Sequence, residues 1–246
     1  MSRPAAAIEH APALAARIAS LEWDRIEAEL EQLGRATVPQ LLTPEECTGL
    51  IALYGEDASF RSTIVMARHN FGRGEYRYFD YPLPPIIAVL RARLYPHLAP
   101  LANRWSKRLG DARRFPPTHD AYIERCHAAG QTRPTPLLLR YREGDYNCLH
   151  RDLYGEQVFP LQATLLLSAP GRDFDGGEFV LVEQRPRMQS RADVVPLARG
   201  DCVLFAVNER PVHGTRGFYR VQLRHGVSRV RRGLRHTAGI IFHDAT

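Results

Sequence analysis

From Ile8 to Leu33 the apolar residues Ile18, Leu21, Ile26, Leu30 and Leu33 recur at helical spacing, and Gly34 closes the run. A second helix start follows at Thr43-Pro44-Glu45-Glu46, where Thr43 caps, Pro44 takes the first position and Glu46 completes a capping box. That helix is expected to run to about Tyr54. A third follows Pro84-Pro85, from Ile86 to about Leu109. Between these two lies Phe60–Tyr81, crowded with Arg68, Phe71, Arg73, Tyr76, Arg77 and Tyr78 and broken by Gly72 and Gly74. It reads as a hairpin or a mobile loop.

After Pro136 the period changes from helical to two. Leu137–Arg142, Gln162–Leu167, Glu178–Val182, Asp193–Leu197, Asp201–Ala206, Tyr219–Val227 and Leu234–Phe242 are short runs of β-formers. Turn residues separate them, among them Gly144-Asp145, Pro170-Gly171, Gly176-Gly177, Gly200-Asp201 and Arg232-Gly233. Seven or eight such strands predict a sandwich or barrel of jelly-roll type. The expected class is α+β, a jelly-roll core flanked by N-terminal helices. No linker is visible, so residues 1–246 read as one domain: an acidic helical segment (1–57), a mixed helix and lid region (58–133) and a β core (134–246).

Composition narrows the options. Apolar residues are 44% and charged residues 24%, as in a globular protein rather than a disordered one. No apolar run approaches the ~20 residues a bilayer crossing needs, and Glu9 and His10 interrupt any export signal. Four cysteines, at positions 47, 126, 148 and 202, form no CxxC pair and read as reduced thiols in a cytoplasm. The net charge of +6 is uneven: residues 1–57 hold four arginines against ten acids, and the remainder 29 basic against 17 acidic groups. Only Lys107 among the 33 basic residues is lysine. Genome composition explains that excess of arginine as well as a phosphate-binding surface does.

Three features carry candidate chemistry. His150-x-Asp152 spaces an imidazole and a carboxylate so that both can reach one metal ion. With ten histidines and 27 acids, about one such pair is expected by chance. His225 shares a strand face with Val221, Leu223 and Val227, which points it inward; a lone histidine there is more often a hydrogen-bonded core residue than a ligand. On the next strand Arg235, Thr237, Gly239 and Ile241 share one face, opposite Leu234, His236, Ala238, Ile240 and Phe242. An arginine beside a threonine on an inner face is costly unless an anion meets it. Three ligands, open coordination positions and a buried anion site together are what a non-haem Fe(II) oxygenase requires.

Four blocks in order over Leu137–Phe242 then resemble the catalytic core of the Fe(II)/2-oxoglutarate dioxygenases, in the branch that includes prolyl 4-hydroxylases. They are LLLRYREGDYNCLHRD, DGGEFVLVE, PLARGDCVLF and HGVSRVRRGLRHTAGIIF. The resemblance implies a double-stranded β-helix, iron held by His150, Asp152 and His225, and 2-oxoglutarate held by Arg235 with help from Thr237 and Tyr141. It implies hydroxylation of a C–H bond with Fe(II), 2-oxoglutarate and O2. His213 is the rival third ligand, but it lies among Pro and Gly, and ten residues on stands Leu223 rather than a basic residue. His236 and His243 need only a packing role, and Cys148 is expected as a small filler on the His150 face.

Two substrates compete. The chain also resembles a bacterial group of these oxygenases described as acting on alkylated DNA, and damaged or single-stranded nucleic acid fits the basic 58–246 region and a base-stacking lid at Arg68–Tyr81. An edge hairpin with arginines on its solvent face explains that segment equally well. A protein side chain is the alternative substrate: DNA-alkyl repair dioxygenases carry a second arginine six residues after the cosubstrate arginine, where this chain has Ile241. A metal-binding β-barrel without enzymatic activity, or a module binding DNA by charge alone, explains the charge but not the inward Arg235/Thr237 pair.

Overall fold

The computed structural model describes residues 5–246, and its elements alternate a helical half with a β half. Helix α1 (Ala5–Ala19) and α2 (Trp23–Leu33) replace the single expected run, β1 (Arg35–Val38) follows, and then α3 (Pro44–Leu53). The break between the first two has a local cause: the Trp23 indole N–H donates to the Ile18 carbonyl, 3.1 Å away, at the end of α1. Gly34 ends α2 in the left-handed region at φ 74°, its N–H returning to the Leu30 carbonyl, so the glycine is needed there. At α3 the capping box forms as the sequence predicts, with Thr43 accepting from the Glu46 N–H and Glu46 accepting from the Thr43 N–H.

The Arg- and aromatic-rich segment is a hairpin: β2 (Phe60–Val65), a short β3 (Gly72–Arg73) and β4 (Glu75–Phe79). Helices α4 (Pro85–Arg108) and α5 (His119–Ala128) precede the β core. That core comprises β5 (Leu137–Arg142), β6 (Tyr146–His150), β7 (Leu161–Leu166), β8 (Phe174–Gly176), β9 (Phe179–Gln184), β10 (Arg191–Val195), β11 (Cys202–Ala206), β12 (Glu209–Gly214), β13 (Gly217–Val227) and β14 (Val230–Ile240).

Two antiparallel sheets face each other. One runs β1-β11-β7-β14-β5-β4-β2 with β8 joined to β14; the other runs β10-β9-β13-β6-β3 with β12 joined to β13. Strand β12 contains Pro211 and has only β13 as a partner, the edge position a proline tolerates. The outer face of the larger sheet is covered by helices. Leu138, Ala163, Leu165, Ala238 and Ile240 enter one buried cluster with Leu90, Leu94 and Leu98 of α4 and Leu14 and Ile18 of α1. Each leucine or isoleucine among them contributes about 1.5–3 kcal/mol by leaving water. With helices outside and the second sheet inside, both faces of β7 are buried along its whole length.

Acids of the N-terminal helices pair with arginines from later in the chain. Glu27 meets Arg104, Glu31 meets Arg108 at 2.6 Å, and Asp57 meets Arg77 at 2.6 Å. The charge asymmetry of the sequence is thus partly neutralised inside the fold. Among the described residues no helix is long and apolar enough to cross a membrane.

Candidate metal centre

Strands β6 and β13 are neighbours in the smaller sheet, and their register places His225 opposite His150. Gly226 makes the approach possible: a Cβ on it would stand 2.8 Å from the Asn147 carbonyl oxygen and 3.2 Å from that of Cys148. The two imidazole rings lie 4.2 Å apart between centroids. Asp152 does not belong to β6, which ends at His150; its carboxylate swings back from the following loop to meet both rings. Its Oδ2 is 3.3 Å from His225 Nε2 and its Oδ1 is 3.6 Å from His150 Nε2. One ligand atom from each of the three residues lies within 4.8 Å of the other two.

The hydrogen bonds around these groups orient them. His150 Nδ1 is 2.8 Å from the Cys148 carbonyl, so it carries the proton and leaves Nε2 with a free lone pair. His225 is walled by Phe205 and Phe179, with ring centroids 4.8 and 6.0 Å away. Burial, and then the neighbouring His150, lower the His225 pKa and keep the ring neutral. Burial pushes Asp152 up, but the His225 hydrogen bond and the two imidazoles outweigh it and hold the carboxyl well below the ordinary range. Two imidazoles and one carboxylate, all turned towards a cavity of about 190 Å³, suit a divalent first-row metal with positions left open.

The same cavity is lined by Arg235, Thr237 and Tyr141. Arg235 is 1% exposed, and its guanidinium lies 5.4 Å from the Tyr141 ring and 5.8 Å from that of Phe174. Among the described residues, its Nε and Nη1 have no hydrogen-bond partner, and neither has the Tyr141 hydroxyl. Burial lowers the arginine pKa to about 10, which still leaves it charged at neutral pH. A charged fork with orphaned donors beside an orphaned hydroxyl is a site prepared for a carboxylate or phosphate.

The remaining candidates lie elsewhere. His213 is exposed on β12 and packs edge-on against Phe218. His236 points into the helical side of the larger sheet and meets Tyr54 edge-on, while His243 accepts from the Phe159 N–H. Cys148 is exposed, so the expectation of a small filler fails: β6 lies near the sheet edge with only β3 beyond it. In the hairpin, Phe71 lines the cavity rim at 47% exposure and stacks on His69, whereas Arg77 is tied to Asp57. Strand β2 is the sheet edge, so the segment combines an edge hairpin with two aromatic residues, Phe71 and Tyr76, that line the cavity.

Sequence reasoning missed two residues here. Tyr154 donates from its hydroxyl to Asp152 Oδ1 over 2.8 Å. Gln162 is 4% exposed on the cavity face of β7, and its Oε1 has no partner. Gln162 and Thr164 alternating with Leu161, Ala163 and Leu165 were a legible signal of a polar inner face; nothing local marked Tyr154.

A family model named Oxygenase-NA, described as "Oxygenase, catalysing oxidative methylation of damaged DNA", matches residues 74–245. Uncharacterized proteins from two strains of Mycobacterium tuberculosis are 48% identical over 167 residues, 68% of this chain and 72% of theirs. Among solved structures, a Pseudomonas putida prolyl-4-hydroxylase superposes with a TM-score of 0.52 at 15% identity, over 88% of this chain and 96% of that one. A Burkholderia pseudomallei oxidoreductase of the 2OG-Fe(II) oxygenase family gives 0.52 at 18% identity, over 92% and 94%. A Trichoplax adhaerens prolyl hydroxylase, solved with a hypoxia inducible factor peptide fragment, gives 0.53 at 15% identity, over 90% and 89%. At these identities the likeness is one of fold, and it agrees with the expected jelly roll.

Proposed function

The chain belongs to the Oxygenase-NA family of oxygenases, and on that premise we propose that it holds Fe(II) on His150, Asp152 and His225, binds 2-oxoglutarate against Arg235, and oxidises an N-alkyl group of a damaged nucleobase. One observation carries the reading: the unpaired, buried guanidinium of Arg235 opens into the same cavity as the three ligand groups. A structural barrel has no use for that pair of features, and each costs stability without its ligand.

Iron bound there, with 2-oxoglutarate and O2, supplies the oxidation of a substrate C–H bond, one oxygen atom entering the substrate and the other entering succinate as CO2 leaves. The protein's part is orientation and exclusion of water. The Cys148 carbonyl fixes the His150 tautomer, and Phe205 and Phe179 keep solvent from His225. Arg235 and the Tyr141 hydroxyl donate to the distal carboxylate of 2-oxoglutarate, with Thr237 on the same face of β14. The rings of Tyr141 and Phe174 shield that ion pair from water, which strengthens it. Hydroxylation of an N-methyl group gives a hemiaminal; its C–N bond then breaks, formaldehyde leaves and the proton passes to the base nitrogen.

The family description and the stacking surface of Phe71 at the cavity mouth favour nucleic acid as the substrate. A peptide side chain is the second reading. It draws on Ile241, which is buried among Tyr78 and Leu137 where a repair enzyme's second arginine is expected. The deciding experiment measures 2-oxoglutarate-dependent succinate release with methylated single-stranded oligonucleotides and with proline-containing peptides. Stimulation by the oligonucleotide and formaldehyde release support the first reading; stimulation by peptide alone replaces it. Asp152→Ala is expected to abolish 2-oxoglutarate turnover even without substrate, and persistent turnover in that variant refutes the ligand assignment.

A further inference from the structure

Behind the Asp152 carboxylate stands a chain of two phenols. Tyr154, two residues further along the same loop, has its hydroxyl 2.8 Å from Asp152 Oδ1. The Tyr78 hydroxyl, from β4, is 3.1 Å from that of Tyr154. The direction of the chain is forced. An ionised carboxylate only accepts, so Tyr154 donates to it, and the Tyr154 oxygen is then free to accept from Tyr78. Tyr78 is itself held: it is 8% exposed, meets Tyr76 edge-on at 5.3 Å and carries the Arg61 guanidinium 4.5 Å above its ring.

This arrangement matters because Asp152 lies past the end of β6, where no ladder bond fixes its side chain. A carboxylate turns easily about its last torsion, which is broad and two-fold. The two imidazoles arrive on strands whose register is set; the carboxylate does not. Besides the two imidazoles, the charge-assisted bond from Tyr154 on the cavity wall is the contact that holds it against rotation.

We propose that Tyr154, braced by Tyr78, is a positioning residue for the metal centre: its hydroxyl occupies one lone pair of Asp152 Oδ1 and thereby presets the carboxylate for the ion. The proposal rests on reading Asp152 as a metal ligand. It also makes the β2–β4 hairpin part of the metal site, since the brace at Tyr78 belongs to β4 while Phe71 of the same hairpin edges the cavity mouth.

The test uses the full chain, metal-free and without 2-oxoglutarate, titrated with Co(II) and followed by the visible cobalt bands. Tyr154→Phe keeps the ring and removes only the hydroxyl. Its Co(II) dissociation constant is expected to rise about 10-fold or more, the usual effect of losing an outer partner of a ligand, with altered band positions in a metal-free protein that still unfolds cooperatively. Tyr78→Phe, which acts through Tyr154, is expected to weaken Co(II) binding by a smaller factor; it carries the test if Tyr154→Phe fails to fold. Affinities and spectra for both variants that match the wild type, while Asp152→Ala has lost binding, overturn the positioning role and leave the metal site standing. Wild-type affinity in Asp152→Ala overturns the ligand assignment, and this proposal with it.

Discussion

His150 and His225 are register partners on adjacent antiparallel strands, and their rings stand 4.2 Å apart although 74 residues separate them in the chain. The residue that permits this closeness is Gly226, whose missing side chain leaves room for the backbone of Asn147 and Cys148. Gly226→Ala is expected to destabilise the protein by about 1–3 kcal/mol through overpacking against backbone that has little freedom to shift. Because the strain falls between the two histidines, metal affinity drops as well. Chemical denaturation and a Co(II) titration of the same variant check both effects; a neutral result in both disproves the close-approach argument.

Arg235 is a buried charge whose Nε and Nη1 have no hydrogen-bond partner among the described residues, and Glu178 is the acid that acts on it electrostatically. Replacing it with Met keeps much of the volume and removes the desolvation penalty. The metal-free, cosubstrate-free protein is therefore expected to become more stable, with a higher unfolding midpoint. Affinity for 2-oxoglutarate is expected to fall by about 2–5 kcal/mol, the cost of deleting one member of a buried charge pair. The measurement is a thermal melt with and without 2-oxoglutarate. Wild-type protein gains stability from the ligand, and the variant does not.

Gln162 predicts the same trade on a smaller scale. Its Oε1 is buried with no partner, and leaving such a group unsatisfied costs about 1–3 kcal/mol. Gln162→Leu is expected to raise the unfolding midpoint of the ligand-free protein while lowering turnover, because the amide faces the metal cavity. Equal or lower stability in the variant shows that the amide is satisfied in solution.

Stability should fall on acidification. Burial, reinforced by Arg91, lowers His119 to about 3 and His243 to about 4; burial and Arg140 lower His236 to about 4. In the unfolded chain these rings titrate near 6.5. Between about pH 6.5 and 4 the unfolded state therefore binds more protons than the folded one, and stability declines as pH falls through that window. Above pH 6.5 the contribution is fully present. Unfolding midpoints of metal-free protein at pH 7.5, 6 and 5 give the slope, and His236→Phe is expected to flatten it.

If the substrate is single-stranded DNA, Phe71→Ala removes a stacking surface worth about 1–3 kcal/mol per base. Its kcat/KM on the oligonucleotide should fall accordingly, with 2-oxoglutarate affinity unchanged. Oligonucleotide binding should also weaken steadily as salt rises. Binding indifferent to salt argues against a phosphate-bearing substrate.

Local patterns carried much of the outcome. The Thr43/Glu46 capping box, the Gly34 stop and the two faces of β14 were readable because each depends on residues a few positions apart. That Arg235 and Thr237 share a face follows from strand alternation alone. Other elements were hidden. Strand β12 looks like a loop because Pro211 interrupts it, and it forms only because an edge position beside β13 is available. Cys148 shares an alternation face with His150, yet it is exposed because its strand has so little sheet beyond it.

What residue order determined by itself was which side chains share a face, since the period of strand and helix is built into backbone geometry. Which faces meet was decided by strand order in two sheets. That order brought β13 against β6, let the loop after His150 return Asp152 to both imidazoles, and set Tyr78 behind Tyr154. Contacts of that range depend on how the whole chain packs its apolar faces, and no short stretch of sequence contains that information.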